Sequence, residues 1–335
     1  MPKPHPPPRA AEPIAAELAG QIPAQPSGAL PILRRWALRL VPLALLAAAG
    51  VVLWREFHHL SPGQVAGSMA AWGSGRIALA LILAAFSFFL MGVVEWLGVR
   101  WAGARVPWLP VLGASFLANA IAHSVGANLL VSGAVRARLY DRYGVSLTQV
   151  AATTLFGGMS FAVGLAALGG SGLAFSSVHQ IQATAVPLVV ARALGFALLA
   201  FAAGYVLLCA LRRAPLVLFR RSFSLPSAGD AAAQVVIGVV DNAVAAAIVW
   251  LLLPPASVHY GPFVGAYAVA AVAGLVSTVP AGAGVFEGSI STLLPNVAPA
   301  PLAAAFLGYR LAYYLTPLVI ACVALAADTV RRRGR

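Results

Sequence analysis

Charge is what this sequence has least of. Only 9% of its 335 residues are Asp, Glu, Lys or Arg, against about 25% in a soluble domain. A water-facing surface cannot be built from so few charges, so lipid must cover much of the protein. Lysine occurs once, at Lys3. Cysteine occurs twice, as Cys209 and Cys322, both inside apolar runs and without metal-ligand spacing, so both read as small buried hydrophobes. No Walker A sequence, no metal-type His/Asp cluster and no Gly-x-Ser-x-Gly nucleophile elbow is present, so neither a catalytic constellation nor a metal or cofactor site is expected. No cleavable signal peptide is recognisable either. The first 33 residues are rich in Pro and Ala and hold no long apolar run, which predicts a disordered cytoplasmic tail over 1–33.

What is abundant is apolar length. Hydrophobic residues make up 61% of the chain, and they cluster in runs of about 20, enough to cross a ~30 Å hydrocarbon core. The runs are Trp36–Trp54, Ile77–Val99, Leu109–Leu130, Thr148–Leu168, Thr184–Leu211, Ala231–Leu253, Pro262–Val279 and Leu302–Ala326, with a shorter piece at Val285–Leu294. The fold class expected is an all-α membrane protein with about eight transmembrane segments plus re-entrant or broken half-helices. The membrane domain covers 34–330, and a basic cytoplasmic tail covers 331–335.

The net charge of +13 is carried by arginine. These Arg residues sit in short loops between apolar runs, the pattern of the positive-inside rule and not of a nucleic-acid binder. Arg34 and Arg35, Arg100 and Arg105, Arg136 to Arg142, Arg212 to Arg221 and Arg331 to Arg335 are therefore all expected on the cytoplasmic side, with both termini. Arg105 and Arg136 then share a side although Leu109–Leu130 separates them. That run holds Asn119, His123, Ser124, Gly126 and Asn128, too polar and broken for a plain span, and is expected to turn back within the membrane. By parity the stretch from Pro280 to Pro295, opened by the helix breaker Pro280-Ala-Gly-Ala-Gly284, must also be discontinuous. An offset of 151 places Ser115–Arg136 against Ala266–Glu287, with Ala122 on Ala273, Val125 on Val276 and Gly133 on Gly284. A weak internal repeat is one expectation from these three small-residue identities, and paired interrupted segments in two halves point to a transporter site.

Charges inside a bilayer are functional candidates, because burying one costs about 2.5–3.5 kcal/mol on insertion scales. Glu287 opens a half-helix, where it acts on cargo or forms a cap or ion pair with Arg310. Arg310, flanked by Tyr309, Tyr313 and Tyr314, either pairs with Glu287 or holds a lipid phosphate. Arg136 and Arg138 receive an anionic headgroup at the cytoplasmic surface or anchor the segment there. Asp241 is a partner for Arg192 or a proton-coupling carboxylate. His123 titrates in the broken segment or serves as a hydrogen-bonding group. Glu95, with Arg100 close by, reads as structural.

Three stretches carry a resemblance: Val131-Ser-Gly-Ala-Val-Arg-Ala-Arg-Leu-Tyr-Asp-Arg-Tyr-Gly144, Val279-Pro-Ala-Gly-Ala-Gly-Val-Phe-Glu287 and Tyr309-Arg-Leu-Ala-Tyr-Tyr-Leu-Thr-Pro317. Together, over roughly Arg34 to Val330, they resemble the lysylphosphatidylglycerol synthase transmembrane family, the flippase part of bifunctional synthase/flippases and their stand-alone relatives. The resemblance implies a lipid translocase and places Arg136, Arg138, Glu287 and Arg310 at its charged motif positions, with a role in substrate handling. The chain ends at Arg335 without a soluble aminoacyl-transferring domain, so dependence on a separate lipid-modifying synthase, or a different lipid, is expected. The leading expectation is a flippase-like transporter of a polar or aminoacylated phospholipid in the bacterial cytoplasmic membrane, in which a homo-oligomer is one expected state. A proton-coupled secondary transporter of a small solute and a non-transporting membrane subunit are the alternatives, and a membrane-embedded enzyme ranks last.

Overall fold

The computed structural model describes residues 62–125, 128–182, 186–212, 216–218, 221–223, 225–276, 282 and 284–333. All of them lie in one compact unit, Leu46–Arg335. The expected tail over 1–33 and the run Trp36–Trp54 fall outside the described residues.

The helices are α1 (Pro62–Ala70), α2 (Gly73–Trp101), α3 (Trp108–Val125), α4 (Asn128–Tyr140), α5 (Leu147–Phe175), α6 (Val178–Gln182), α7 (Leu188–Leu211), α8 (Ala228–Leu252), α9 (Tyr260–Val276), α10 (Val285–Leu293), α11 (Pro299–Arg310) and α12 (Thr316–Arg333). A five-residue π turn, Leu311–Leu315, joins α11 to α12. A small antiparallel hairpin, β1 (Leu216–Leu218) and β2 (Arg221–Phe223), lies between α7 and α8. Among the described residues, five helical stretches are long and apolar enough to cross a membrane: Gly73–Trp101, Leu147–Phe175, Leu188–Leu211, Ala228–Leu252 and Pro299–Ala327. The protein is a multi-pass, all-α membrane protein, as its apolar runs predict. Outward faces carry large apolar side chains, such as Ile82, Val189 and Leu211, which only lipid can accommodate.

Local chemistry sets where the spans begin. Ser146 caps α5 reciprocally with Gln149: the Gln149 N–H donates to Ser146 Oγ at 3.3 Å, and the Ser146 N–H donates to Gln149 Oε1 at 3.0 Å. Ser227 Oγ accepts from the Asp230 N–H at 3.1 Å and starts α8. Pro299 opens α11, where its missing N–H leaves no orphan. Small residues then let the spans touch. A Cβ at Gly164 in α5 would lie 2.2 Å from the backbone of Gly238 in α8, so these two backbones are in contact.

Both interrupted segments are helical hairpins. In the first, Arg136 of α4 lies beside Asn119 of α3. The open end packs Val111 and Tyr140 against Val99 and Val150, at the end of α2 and the start of α5. In the second, Phe286 of α10 packs on Tyr267 of α9, with ring centroids 5.6 Å apart. Its open end meets the far end of α5, where Gly261 approaches Ser176 and Gly172. The hairpins therefore enter from opposite ends of the bundle. One expectation is corrected: the returning arm of the first hairpin extends to Tyr140, so Arg136 lies on a buried arm and not on a surface stretch.

Adding 151 to the bounds of α3, 108–125, gives 259–276, and the observed α9 spans 260–276. The same shift carries α2 to 224–252 against the observed 228–252, and the start of α5 to 298 against Pro299. Each element of the first set has an equivalent in the second, and the long helices are reversed. Trp72 Nε1 donates to the Leu252 carbonyl at 2.9 Å, so the start of α2 meets the end of its equivalent, α8. Helix α5 runs antiparallel to α2, because Gln149 Nε2 reaches the Ala102 carbonyl. The α11–α12 span runs parallel to α2, because Trp72 meets Gly308 and Phe88 meets Tyr313. The repeat expected from three small-residue identities is thus an inverted one.

Candidate functional site

Between the hairpins lies a cavity of about 850 Å³. Asn119, Ala122 and His123 of α3 and Arg136 of α4 contribute one wall, and Tyr267 and Gly274 of α9 with Phe286 of α10 contribute another. Polar groups from the long helices complete the floor: Glu95, Thr153, Thr154, Ser160, Asp241 and Asn242. The remaining wall is different in kind. Leu155 and Met159 of α5, Phe201 of α7 and Leu275 of α9 line the cavity and are also among the exposed apolar side chains. The cavity therefore opens sideways, toward the face that lipid covers.

Two buried ion pairs flank this space. In the first, Arg136 Nε donates to both oxygens of Glu95, at 2.8 and 2.7 Å, and Arg136 Nη2 lies 2.6 Å from Glu95 Oε2. Tyr140 donates its hydroxyl proton to Glu95 Oε1 at 2.7 Å. Both charged residues are buried, and each lone pair of Glu95 that meets a donor offsets the cost of leaving water. Arg136 Nη1 makes no hydrogen bond among the described residues, so one guanidinium donor stays available beside the cavity.

In the second pair, Arg310 Nε donates to Glu287 Oε1 at 2.7 Å, and Arg310 Nη2 contacts the same oxygen. Glu287 Oε2 accepts from the Gly284 N–H at 2.9 Å, so the carboxylate also caps α10 at its positive end. Gly284, with φ of 80°, takes a conformation that L side chains rarely adopt. The Arg310 guanidinium lies 5.6 Å over the Tyr314 ring. Neither Glu287 nor Arg310 reaches the cavity. Phe286, Tyr309 and Tyr314 stand in front of them and form its wall.

A third group of polar side chains meets deep in the bundle. Ser87 Oγ is hydrogen-bonded to Asp241 Oδ1 and stands 2.8 Å from the Tyr313 hydroxyl. The His123 ring stacks on Tyr313 at 5.8 Å with 15° between planes. His123 Nδ1 is buried and has no hydrogen-bond partner among the described residues.

The expected residues thus separate. Arg136, His123 and Asp241 line the cavity, and Glu287 and Arg310 support its wall. Arg138 is exposed on the opposite face of α4. Arg192 does not pair with Asp241; its Nη2 donates to the Ser176 carbonyl at 2.7 Å and ties α7 to the end of α5. Arg100 does not pair with Glu95 but lies over the Trp96 ring at 4.6 Å. Sequence reasoning gave Glu95, Ser87 and Tyr313 no place in the site. Glu95 carried the one signal that could have found it, an acidic residue inside an apolar run.

Comparison with known proteins places the chain in a membrane-protein family. The family model for the lysylphosphatidylglycerol synthase TM region matches residues 40–321. The chain is 30% identical over 282 residues to the uncharacterized protein slr0712 of Synechocystis sp., covering 84% of this chain and 88% of that one. It is also 30% identical over 254 residues to the inner membrane protein YbhN of Escherichia coli, covering 74% of this chain and 79% of the relative. The chain belongs to the lysylphosphatidylglycerol synthase transmembrane-region family.

Proposed function

We propose that the protein is a flippase-like transporter that moves a polar or aminoacylated phospholipid between the leaflets of the bacterial cytoplasmic membrane, with both termini in the cytoplasm. The observation that carries this reading is the cavity. Its floor is polar and its open wall is apolar and lipid-facing. A phospholipid has the same division, with a headgroup that needs hydrogen bonds and acyl chains that need none. A headgroup in the cavity meets the free donor of Arg136, suited to a phosphate oxygen. A cationic amine, as on a lysyl headgroup, finds the carboxylate of Asp241, which no cation closes among the described residues. The acyl chains stay in lipid between α5, α7 and α9. The inverted repeat supports the same reading, because two oppositely inserted hairpins can expose one midplane site to either side in turn. On this reading the lipid comes from a separate lipid-modifying synthase.

The test is leaflet exchange of fluorescent phosphatidylglycerol and its lysyl derivative in proteoliposomes of the purified protein. The expected result is faster exchange than in protein-free vesicles, abolished by Gly157→Trp. Gly157 lines the cavity, and a Cβ there meets nothing within 4 Å, so the substitution directs its indole into that open space. Equal exchange with and without protein, for both lipids, overturns the proposal.

A further inference from the structure

The charged groups at the cavity are not all balanced. Glu95 and Arg136 satisfy one another, and Arg310 closes on Glu287 behind the wall. Asp241 is buried, lines the cavity, and forms no ion pair among the described residues. It stands near the middle of α8, far from either helix end. An isolated carboxylate at that depth is costly unless something neutralises it, and the surrounding protein offers hydroxyls and aromatic rings.

Four separate elements build this place. Helix α8 brings Asp241, α2 brings Ser87, and the tip-proximal part of α3 brings His123, whose buried Nδ1 has no partner among the described residues. The fourth is the π turn, which brings the Tyr313 hydroxyl to 2.8 Å from Ser87 Oγ. A π turn inserts one residue into an α-helix and rotates the next turn of helix by about 100°. Here Thr316 Oγ1 bonds back to the Leu311 carbonyl at 2.7 Å and steadies it. Such turns occur mostly at functional sites.

We propose that Asp241 is a proton-binding site that couples the cavity to the transmembrane proton gradient, with Ser87 and Tyr313 as the hydroxyl pair that solvates it. This rests on the transport reading above and adds its energy source. When the cavity opens to one side, a hydronium ion gives its proton to an Asp241 oxygen. One O–H bond forms on the carboxyl group and one breaks on the hydronium, with no change of oxidation state. The neutral acid fits its apolar surroundings, so the hairpins can rearrange around it. The proton then leaves to water on the other side.

The titratable groups that face Asp241 are Tyr313 from the π turn, Tyr267 from α9 and His123 from α3, with Tyr309 and Tyr314 behind them. Helix α5 presents none. Helix α7 presents Tyr205, whose hydroxyl is bound to Gln234. Glu95 of α2 and Arg136 of α4 also line the cavity, and they close on each other.

Two measurements on the purified full chain test this. Infrared difference spectroscopy of the lipid-reconstituted protein across a pH titration reads Asp241 without any transport. The expected result is a carboxylic-acid C=O band that is lost in Asp241→Asn and shifted, not lost, in Ser87→Ala. The second measurement is leaflet exchange of labelled lipid with and without an imposed pH gradient. The gradient is expected to speed exchange by the wild type and by Asp241→Glu, and to leave Asp241→Asn with equal rates. A C=O band unchanged by Asp241→Asn overturns the proton site. So does an Asp241→Asn variant that answers the gradient as the wild type does, or a wild type that answers a sodium gradient and not a pH gradient. Absence of exchange under every condition sinks the lipid reading, while the infrared band still decides for or against Asp241.

Discussion

Arg136 and Glu287 stand 151 residues apart at matching places on the returning arms of two oppositely inserted hairpins, and each is closed by an opposite charge from a neighbouring long helix. The two closures are not copies. Arg136 takes Glu95 from the helix that precedes its hairpin, whereas Glu287 takes Arg310 from the helix after its own. The duplicated scaffold is therefore symmetric in backbone and asymmetric in charge. One pair borders the cavity, and the other is screened from it by Phe286, Tyr309 and Tyr314. This asymmetry gives the two pairs different sensitivities to mutation.

The Glu95–Arg136 pair is expected to behave as a buried unit. Arg136→Leu leaves Glu95 charged and unpaired, a loss of about 3–5 kcal/mol. Removing both charges and the third donor, as Glu95→Leu, Arg136→Leu and Tyr140→Phe together, is expected to recover most of it, because buried pairs replaced by apolar groups are often neutral in cost. Thermal unfolding in detergent, followed by size-exclusion chromatography, checks this. A triple variant no more stable than Arg136→Leu contradicts it.

Polarity fixes the direction of the second pair. Glu287 Oε2 accepts the Gly284 N–H at the start of α10. A charge swap, Glu287→Arg with Arg310→Glu, keeps the pair but leaves that N–H without its acceptor, at about 1–3 kcal/mol, and puts a cation at the positive helix end, at about 0.3–2 kcal/mol. The swap is expected to melt well below the wild type. A swap that restores the wild-type melting temperature refutes a capping role for Glu287.

The contact between α5 and α8 depends on two absent side chains. Gly164→Ala drives a Cβ to 2.2 Å from the Gly238 backbone, and separating the helices is expected to cost about 1–3 kcal/mol. Gly157→Ala, seven residues earlier on the same helix and facing open space, is expected to stay within about 0.5 kcal/mol of the wild type. Equal melting temperatures for the two variants would show that the close approach carries no stability.

Much of this arrangement was legible in the sequence, and the reasons are physical. The spans come from apolar length. The hairpins come from the placement of arginine: Arg105 and Arg136 cannot share a side unless the run between them turns back. The depth of Arg136 was not legible, because the positive-inside pattern treats every such arginine as a loop residue. Its partner Glu95 lies 41 positions away and is set by how α2 packs on α4. The π turn left no mark either, since Leu311-Ala-Tyr-Tyr-Leu315 has the composition of ordinary helix. Asp241 was visible as a buried acid, but its neighbour Ser87 carries no charge that could have announced the pairing.

The inverted repeat makes a sharper demand than any single residue. The loops before α3 and before α9 are equivalent under the repeat, and inversion places them on opposite sides of the membrane. Pro107 and Pro255 are exposed residues in these two loops. In a background with Cys209→Ala and Cys322→Ala, single cysteines at these positions report their side. Arg100 ends the helix before the first loop and Arg105 lies within it, whereas the second loop holds no Arg or Lys. The positive-inside rule therefore puts the first in the cytoplasm. A membrane-impermeant maleimide on intact cells is expected to label Pro255→Cys at once and Pro107→Cys only after permeabilisation. Labelling with the sides exchanged would keep the inversion and reverse the orientation. Labelling of both from the same side is incompatible with the antiparallel meeting of Trp72 and Leu252 and with two hairpins that enter from opposite ends.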